Sequence, residues 1–305
     1  MKRYYTFSRF LREKFGCSVY KIPVHAGFSC PNRDGAISHG GCSFCYNPSF
    51  SPAVEKAGLS VREQVERGRE AALRKGRRNA KFIAYLQSYT NTYGKVEQLR
   101  RVYDEALSVP DIVGLSIGTR PDCVPDPVLD LVASYARQHH VWLEYGLQSS
   151  HDRTLRRINR GHSFADFVDA VERTRNRGIY ICAHVIIGLP EEERDDCVQT
   201  ALKLSELGAD GVKIHHLQVV EHTRLAREYR EGTVPTLSLN EYVHWVCDFL
   251  EHLDPGITVH RLCGEVLHGD LLLAPRWKAG KAEVIQAVDR EMERRNTRQG
   301  AKVGG

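Results

Sequence analysis

The chain has 305 residues and a formal net charge of +5, so it can form one large domain or two small ones and permits an anionic partner without requiring one. Hydrophobic residues make up 42% and charged residues 27%, which excludes wholesale disorder. No apolar run approaches the roughly 20 residues that cross a bilayer, and no signal peptide is present, so the sequence predicts a cytoplasmic protein without a membrane partner.

Short apolar runs recur at intervals of roughly 30 residues, as the strands of βαβ units do. Several of them are continuously apolar, which is typical of strands buried on both faces of a parallel sheet. We predict strands at residues 18–24, 81–86, 112–117, 141–145, 180–187 and 212–217, with a weaker seventh at 257–260.

Helical periodicity fills the gaps between these runs. Ser60 and Glu63 have the spacing of a capping box, Asp126 is placed as an N-cap before Pro127, and Ser163 can cap a further helix. The alternation of strands and helices predicts an α/β fold with a parallel sheet. About six units are too few for a closed eightfold barrel, so the strand pattern leaves a partial barrel and an open doubly wound sheet as alternatives.

No repeat or low-complexity linker divides the chain, and its pattern changes only after about residue 275. We therefore predict a core domain over residues 1–275, followed by a charged C-terminal helix and tail over residues 276–305.

Nine cysteines are many for a chain of this length, and in a reducing compartment they favour metal binding or catalysis over disulfides. Only Cys30, Cys42 and Cys45 cluster, in a loop at residues 26–46 that directly follows the first strand. This is the end of the sheet at which α/β proteins place their sites. Two metal sites fit the spacing.

A structural zinc site needs a fourth ligand, which His25 or His39 could supply. Three cysteines without a fourth ligand instead suit a four-iron cluster that keeps one coordination site open.

The cysteine loop resembles that of the radical S-adenosylmethionine (radical SAM) superfamily. In the usual motif of the superfamily the first two cysteines are closer together in sequence, whereas eleven residues separate Cys30 from Cys42 here. In this longer spacing the chain resembles the YhcC/YtqA-type group, which is related to the branch of the elongator catalytic subunit. The resemblance covers about residues 16–280, and further motifs carry it at residues 87–93, 118–122, 144–149 and 158–162.

The resemblance implies a partial (β/α)6 TIM-like barrel, to which the charged C-terminal stretch adds a helical extension. It also implies a [4Fe-4S] cluster on the three cysteines and S-adenosyl-L-methionine as the second cofactor. Such a cluster donates one electron to the sulfonium of S-adenosyl-L-methionine, and the resulting 5'-deoxyadenosyl radical removes a hydrogen atom from the substrate. An electron donor such as flavodoxin or ferredoxin is then expected.

Carried onto this chain, the resemblance and the polar chemistry of the strand ends predict a set of cofactor contacts. These are Gln87, Thr90, Asn91, Arg120, Glu144, Gln148, Gly188 and His215. The sequence assigns no particular residue to catalysis.

Each contact has a structural alternative. Glu144 could pair with a core Arg or Lys, and Arg120 could pair with Asp122. Gly188 could serve only a strand-to-helix turn, and His215 could be an ordinary core or surface histidine.

Three function classes remain after these observations: a radical SAM enzyme, a zinc-stabilised RNA-binding module, and a cluster-bearing electron carrier. The elongator branch implies the wobble uridine of tRNA as substrate, with a small metabolite or a protein side chain as rivals. Basic residues at 67–81 and 276–298 could contact the tRNA backbone, although acids interleave with both stretches.

Overall fold

The computed structural model describes residues 2–51, 58–77 and 79–303. In these ranges the strands are β1 (Val19–Val24), β2 (Lys81–Leu86), β3 (Ile112–Thr119), β4 (His140–Gln148), β5 (Tyr180–Ile187), β6 (Gly211–His216), β7 (Val219–Val220), β8 (Thr258–Arg261) and β9 (Leu272–Ala274). The main sheet is parallel and has seven strands in the order β1-β2-β3-β4-β5-β6-β8, while β7 and β9 form an antiparallel pair.

Helices connect these strands. They are α1 (Phe7–Phe15), α2 (Val61–Arg74), α3 (Val96–Leu107), α4 (Asp126–Ala136), α5 (Asp152–Arg157), α6 (Phe164–Thr174), α7 (Arg194–Glu206), α8 (Arg224–Arg230), α9 (Leu239–Glu251) and α10 (Lys281–Arg294). Among the described residues no helix is both long enough and apolar enough to span a bilayer.

The sheet curves into a partial barrel. Lys21 on β1 contacts Glu144 on the central strand β4 and lies 3.5 Å from Nδ1 of His260 on β8, so side chains of the first, middle and last strands meet in one lumen. The predicted partial barrel with a C-terminal helix is confirmed, and the open-sheet alternative is wrong because an open sheet has no such lumen.

Local sequence signals explain most of the helix starts. Capping boxes join Ser60 to Glu63 before α2 and Ser163 to Asp166 before α6. The start of α4 differs from the prediction, because Asp126 is its first helical residue and Pro125 takes the N-cap position. The helices cover the outer face of the sheet, where their apolar faces form the main core with strand residues such as Leu115, Leu143 and Val185.

The lower end of the barrel, where the strands begin, is closed by α1. Its Phe7 and Leu11 are buried against Ile83, Trp142 and Cys182 in an apolar cluster. Phe7 meets Trp142 edge-to-face with ring centroids 5.4 Å apart. We call this cluster of five residues the floor of the barrel.

The two ends of the chain lie together below the last strand. The Val259 amide on β8 donates to the Tyr5 carbonyl at 2.7 Å, so the segment before α1 extends the sheet. The backbone amide of Gln299 donates to the Arg3 carbonyl at 2.9 Å, so the residues after α10 contact the segment before α1.

Candidate functional site

The cysteine loop lies over the upper end of the barrel, directly after β1. Cys30, Cys42 and Cys45 line one cavity of about 200 Å³; Cys42 is buried and the other two are partly buried. Tight turns shape the loop, with the Arg33 amide donating to the Cys30 carbonyl at 2.8 Å and the Cys45 amide to that of Cys42 at 3.0 Å. Gly41 has a φ of +83°, and a Cβ there would lie 2.9 Å from Nε of Arg33.

A distant segment, residues 158–162, holds this loop in place. Asn159 donates its amide to the Gly41 carbonyl at 2.9 Å, and Asn32 returns a bond of 2.7 Å to the Asn159 carbonyl. The Ser43 amide donates to the Ile158 carbonyl at 2.9 Å. The motif at residues 158–162 therefore positions the loop that carries the thiols.

Several N–H groups point at the thiol sulfurs. Asn32 Nδ2 lies 3.5 Å and Arg160 Nη1 3.6 Å from Sγ of Cys42, and Asn47 Nδ2 lies 3.9 Å from Sγ of Cys45. Donors in such positions hydrogen-bond the sulfur of a metal-bound thiolate and tune the metal. Sequence reasoning missed Asn32 and Arg160 as neighbours of Cys42, because no local pattern relates residues so distant in the chain.

The spacing of the thiols distinguishes the two predicted metal sites. Tetrahedral zinc with Zn–S bonds near 2.3 Å requires thiolate sulfurs about 3.8 Å apart. The sulfurs of Cys30, Cys42 and Cys45 do not all lie within 4.8 Å of one another. Neither His25 nor His39 lines the cavity that they share. The arrangement thus fits a larger polynuclear cluster with one open position better than one zinc ion.

The electrostatics of the loop also suit a bound metal. Burial raises the pKa of Cys45 to about 11, with Cys42 adding to the increase and Arg33 opposing it. The guanidinium of Arg33 donates to the Cys45 carbonyl and so remains beside this thiol. Three clustered thiolates repel one another, and a metal cluster relieves that repulsion.

The residues predicted at the end of β2 divide into two groups. Gln87 and Thr90 line the cavity beside the cysteines. Asn91 does not, because its amide is fully buried and donates to the carbonyls of Leu86 at 3.1 Å and Gly118 at 2.8 Å. Tyr89 between them has a φ of +64°, a conformation that side chains adopt at a cost and that concentrates at functional sites.

Arg120 lines the cavity but already has an acid partner. Its Nε and Nη2 donate to the two oxygens of Asp122 at 2.9 and 2.7 Å, and its Nη1 donates to the Arg160 carbonyl at 2.8 Å. The structural alternative for Arg120 is therefore present. The side chain still lies near the thiols, since it donates to the Arg160 carbonyl and Nη1 of Arg160 lies 3.6 Å from Sγ of Cys42.

Glu144 lies at the bottom of the cavity in a layer of charged lumen side chains. It is fully buried, pairs with Lys21, and accepts from Lys213 Nζ at 2.9 Å. His184 Nε2 lies 2.6 Å from Oε2, the same oxygen that Lys213 contacts, and the Ser116 hydroxyl donates to Oε1. The predicted alternative of a core lysine partner is therefore present as well. We call Lys21, Ser116, Glu144, His184 and Lys213 the charged layer.

Burial and ion pairing compete within the charged layer. Burial raises the pKa of Glu144, but Lys21, Lys213 and His184 lower it further, so that it lies well below its usual value. Burial lowers the pKa of Lys213 to about 7, although Glu144 opposes the change. One carboxylate cannot compensate two ammonium groups, and the pKa that falls is that of Lys213, which is more deeply buried than Lys21.

The remaining predicted residues lie at the strand ends. Gln148 lines the cavity with a φ of +77° at the end of β4. Gly188 does not line the cavity; its φ is +85°, and a Cβ there would lie 3.0 Å from Cδ1 of Leu237. His215 lines the cavity, where Nη2 of Arg261 lies against its ring.

Sequence reasoning missed the polar lumen residues Lys21, His184, Lys213 and Arg261. Their signal is the same as that of Glu144, a polar residue that interrupts an apolar strand. Of these four, His184 and Arg261 line the cavity that holds the thiols, so the cavity combines a place for a metal cluster with the guanidinium of Arg261.

Family models match most of the chain. The model of the radical SAM superfamily matches residues 34–204, and that of the radical SAM C-terminal domain matches residues 209–294. The chain is 40% identical over 301 residues to protein YtqA of Bacillus subtilis, covering 98% of this chain and 92% of that protein. It is 28% identical over 167 residues to Elongator complex protein 3 of Saccharomyces cerevisiae, covering 52% of this chain and 29% of that protein.

Solved structures share the fold. The archaeal Elp3 of Methanocaldococcus infernus aligns with a TM-score of 0.72 at 16% identity, over 93% of this chain and 64% of that chain. Coproporphyrinogen III oxidase of Escherichia coli aligns with a TM-score of 0.51 at 16% identity, over 79% of this chain and 56% of that chain. At such identities the likeness concerns the fold alone.

Proposed function

Because this chain belongs to the radical SAM superfamily, we propose that it cleaves S-adenosyl-L-methionine reductively at a [4Fe-4S] cluster held by Cys30, Cys42 and Cys45. One observation carries the proposal: three thiols share a cavity, spaced too widely for a single zinc ion. When bound, the cluster supplies the electron that breaks the carbon–sulfur bond of S-adenosyl-L-methionine and yields methionine and a 5'-deoxyadenosyl radical. Flavodoxin or ferredoxin is the proposed source of that electron.

The chain's own residues bind and orient in this proposal. Asn32 and Arg160 hold Cys42 as a thiolate ligand through their N–H donors. Gln87 and Thr90 offer oxygen acceptors to the amine of the methionine moiety, and Gln148 offers its amide to the ribose. The floor closes the lower end of the barrel to water, so a reactive species formed above is kept from solvent on that side.

The first experiment is anaerobic reconstitution with iron and sulfide, followed by metal analysis and product assay. We expect a brown protein with about four irons per chain, which releases methionine and 5'-deoxyadenosine when a strong reductant and S-adenosyl-L-methionine are added. Stoichiometric zinc without iron would contradict the proposal and favour the zinc-stabilised module. Iron without any cleavage would instead favour an electron carrier.

For the substrate we propose the wobble uridine of tRNA. The match to Elongator complex protein 3 supports this choice, and so does the position of basic residues on α2. Some of these residues have acid partners, since Arg69 pairs with Asp111 at 2.5 Å and Arg74 lies 3.6 Å from Glu70. Arg78, which belongs to the same predicted stretch, lies outside the described residues.

The substrate proposal is tested by comparing the modified nucleosides of tRNA from cells with and without the gene. We expect a change confined to the C5 substituent of the wobble uridine, and tRNA binding by the pure protein that weakens steeply with salt. The double variant Arg67→Glu/Lys75→Glu on α2 is expected to weaken binding. Arg177→Glu, whose guanidinium already pairs with Asp130, is the matched control and is expected to leave binding unchanged.

An unchanged nucleoside profile without salt-sensitive tRNA binding would end the tRNA proposal. A small metabolite or a protein side chain would then be the substrate class to examine, and the cluster chemistry would be unaffected.

A further inference from the structure

Arg261, at the end of β8, is an arginine of the cavity wall whose charge is not balanced. Its Nη2 lies against the ring of His215, and its Nε is buried without a hydrogen-bond partner. Within residues 2–51, 58–77 and 79–303, no carboxylate pairs with its guanidinium. The other arginines that line the cavity have oxygen acceptors: the Cys45 carbonyl for Arg33, Asp122 for Arg120 and the Gly146 carbonyl for Arg160.

The groups around Arg261 cannot neutralise it. Burial and Arg261 itself keep the pKa of His215 well below its usual value, so this imidazole is neutral. Glu265 also lines the cavity, but its carboxylate lies 3.6 Å from Nζ of Lys281. Glu144 is already shared between Lys21 and Lys213. The lumen therefore carries more buried cationic groups than anionic ones, and a buried charge of this kind calls for an anion.

Gly264 lies among the polar side chains on this side of the cavity, since His215, Gln218 and Arg261 line the same cavity. We call the part of the cavity that these residues border the cradle. A Cβ at Gly264 would lie 3.3 Å from Nδ1 of His215, 3.6 Å from Oε1 of Gln218 and 3.8 Å from Nη2 of Arg261, so a side chain there would crowd the cradle.

We propose that Arg261, His215 and Gln218 bind an anionic group of the substrate, a phosphate or a carboxylate, in the cradle beside Gly264. A guanidinium recognises both groups through paired N–H donors. The inference rests on the proposed function, because it takes this cavity as the place where substrate meets S-adenosyl-L-methionine.

The carboxylate of S-adenosyl-L-methionine is a different anion and belongs at the other end of the cavity. Cys30, Cys42 and Cys45 would hold the cluster that binds the methionine moiety, so the carboxylate of that moiety would lie beside the three thiols. Arg120 donates to the Arg160 carbonyl and Arg160 contacts Sγ of Cys42, whereas Arg261 at the end of β8 contacts His215 at the end of β6. Arg261 therefore serves an anion that lies away from the thiols.

The test uses the reconstituted protein with its cluster reduced, so that the paramagnetic cluster accelerates the nuclear relaxation of anything bound in the cavity. Inorganic phosphate is titrated by phosphorus NMR, and labelled acetate by carbon NMR in a parallel arm. We expect saturable relaxation enhancement by at least one anion, and the arm with the tighter binding identifies the group as phosphate or carboxylate.

Two variants and one control define the site. Arg261→Gln is expected to weaken anion binding by about tenfold or more, because it removes a charge-assisted pair of hydrogen bonds. Gly264→Ala keeps every charge and adds only a methyl group in the cradle, so it is expected to weaken binding by about threefold or more. Arg177→Gln removes a partly buried arginine that pairs with Asp130 outside the cavity, and it is expected to leave binding unchanged.

Anion binding that is absent from the native protein, or equal in the native protein and both variants, overturns the inference. A parallel loss of affinity for S-adenosyl-L-methionine in Arg261→Gln, measured by equilibrium dialysis, also overturns it, because Arg261 would then serve the cofactor. Saturable anion binding in a protein that does not cleave S-adenosyl-L-methionine would refute the proposed function and leave the anion site standing.

Discussion

The upper end of the barrel, which we call the mouth, and the floor lie at opposite ends of the same sheet and differ in residue composition. The mouth carries thiols, arginines and the residues Tyr89 and Gln148 with positive φ, on loops and at the ends of strands. The floor is apolar and is closed by a single helix, α1. Parallel strands all end on one side, so loops that carry chemistry collect there and the other end serves stability. The charged layer lies between the mouth and the floor. Variants of its residues test whether it contributes to cluster binding, like the mouth, or to stability, like the floor.

The largest expected effect is at the mouth. Replacing Cys30, Cys42 or Cys45 by Ala is expected to abolish iron binding after anaerobic reconstitution, because each removes a thiolate ligand. Iron and sulfide analysis measures this loss. Cys197 is a buried core thiol of α7, and Cys197→Ala is the matched control, which is expected to retain full iron content. If the control also lost its iron, the loss in the other variants could not be attributed to a missing cluster ligand.

The charged layer gives the next largest effect. Glu144→Gln leaves Lys21 and Lys213 buried without their carboxylate, which is expected to lower the free energy of unfolding by about 3 kcal/mol. Urea denaturation measures the change, and iron content reports on the mouth. We expect iron to be retained, which would mean that Glu144 contributes to stability, as the floor does. A variant that has native stability but lacks iron would mean that Glu144 contributes to cluster binding, as the mouth does.

At the floor, Leu11→Ala removes a side chain that is 2% exposed and contacts the lumen aromatics. We expect a loss of about 2–3 kcal/mol in the free energy of unfolding, with unchanged iron content. Leu267 is 44% exposed in the loop that borders the mouth, and Leu267→Ala is expected to change stability by less than about 0.5 kcal/mol. Equal losses in the two variants would contradict the assignment of stability to the floor.

The smallest expected effect is a change in pH dependence. The pKa of Lys213 is about 7 in the folded chain, below its unfolded value of about 10.4. Between these values the unfolded state binds more protons, so this residue makes stability rise with pH. Lys213→Met is expected to flatten that rise between about pH 7 and pH 9, as followed by urea denaturation. An unchanged slope would mean that Lys213 stays charged beside Glu144.

The sequence predicted the strands well, because strands buried on both faces leave continuous apolar runs that are easy to locate. It missed α9, although Ser238 and Glu241 form a capping box that was available as a signal. The cysteine loop was located by spacing and resemblance together. The donors to Cys42 were not, since Arg160 is 118 residues away and only the folded chain brings the two together.

The charged layer shows where sequence reasoning stops. Lys21, Glu144 and Lys213 each interrupt an apolar strand, so each could be recognised as an exception within its own strand. Their meeting depends on how strongly the sheet curves, and curvature is a property of all the strands together. The imbalance of charge that leaves Arg261 unpaired follows from that curvature and could not be predicted from any one strand.

The joining of the two chain ends has a consequence for the order of folding. The segment before α1 pairs with β8, and Arg3 binds the backbone near Gln299, so these contacts link residues almost a full chain length apart. Contacts of such long sequence separation form late, since the loop-closure entropy of the whole chain must be overcome first. The segment before α1 is therefore expected to pair with β8 late in folding, after most of the sheet has formed.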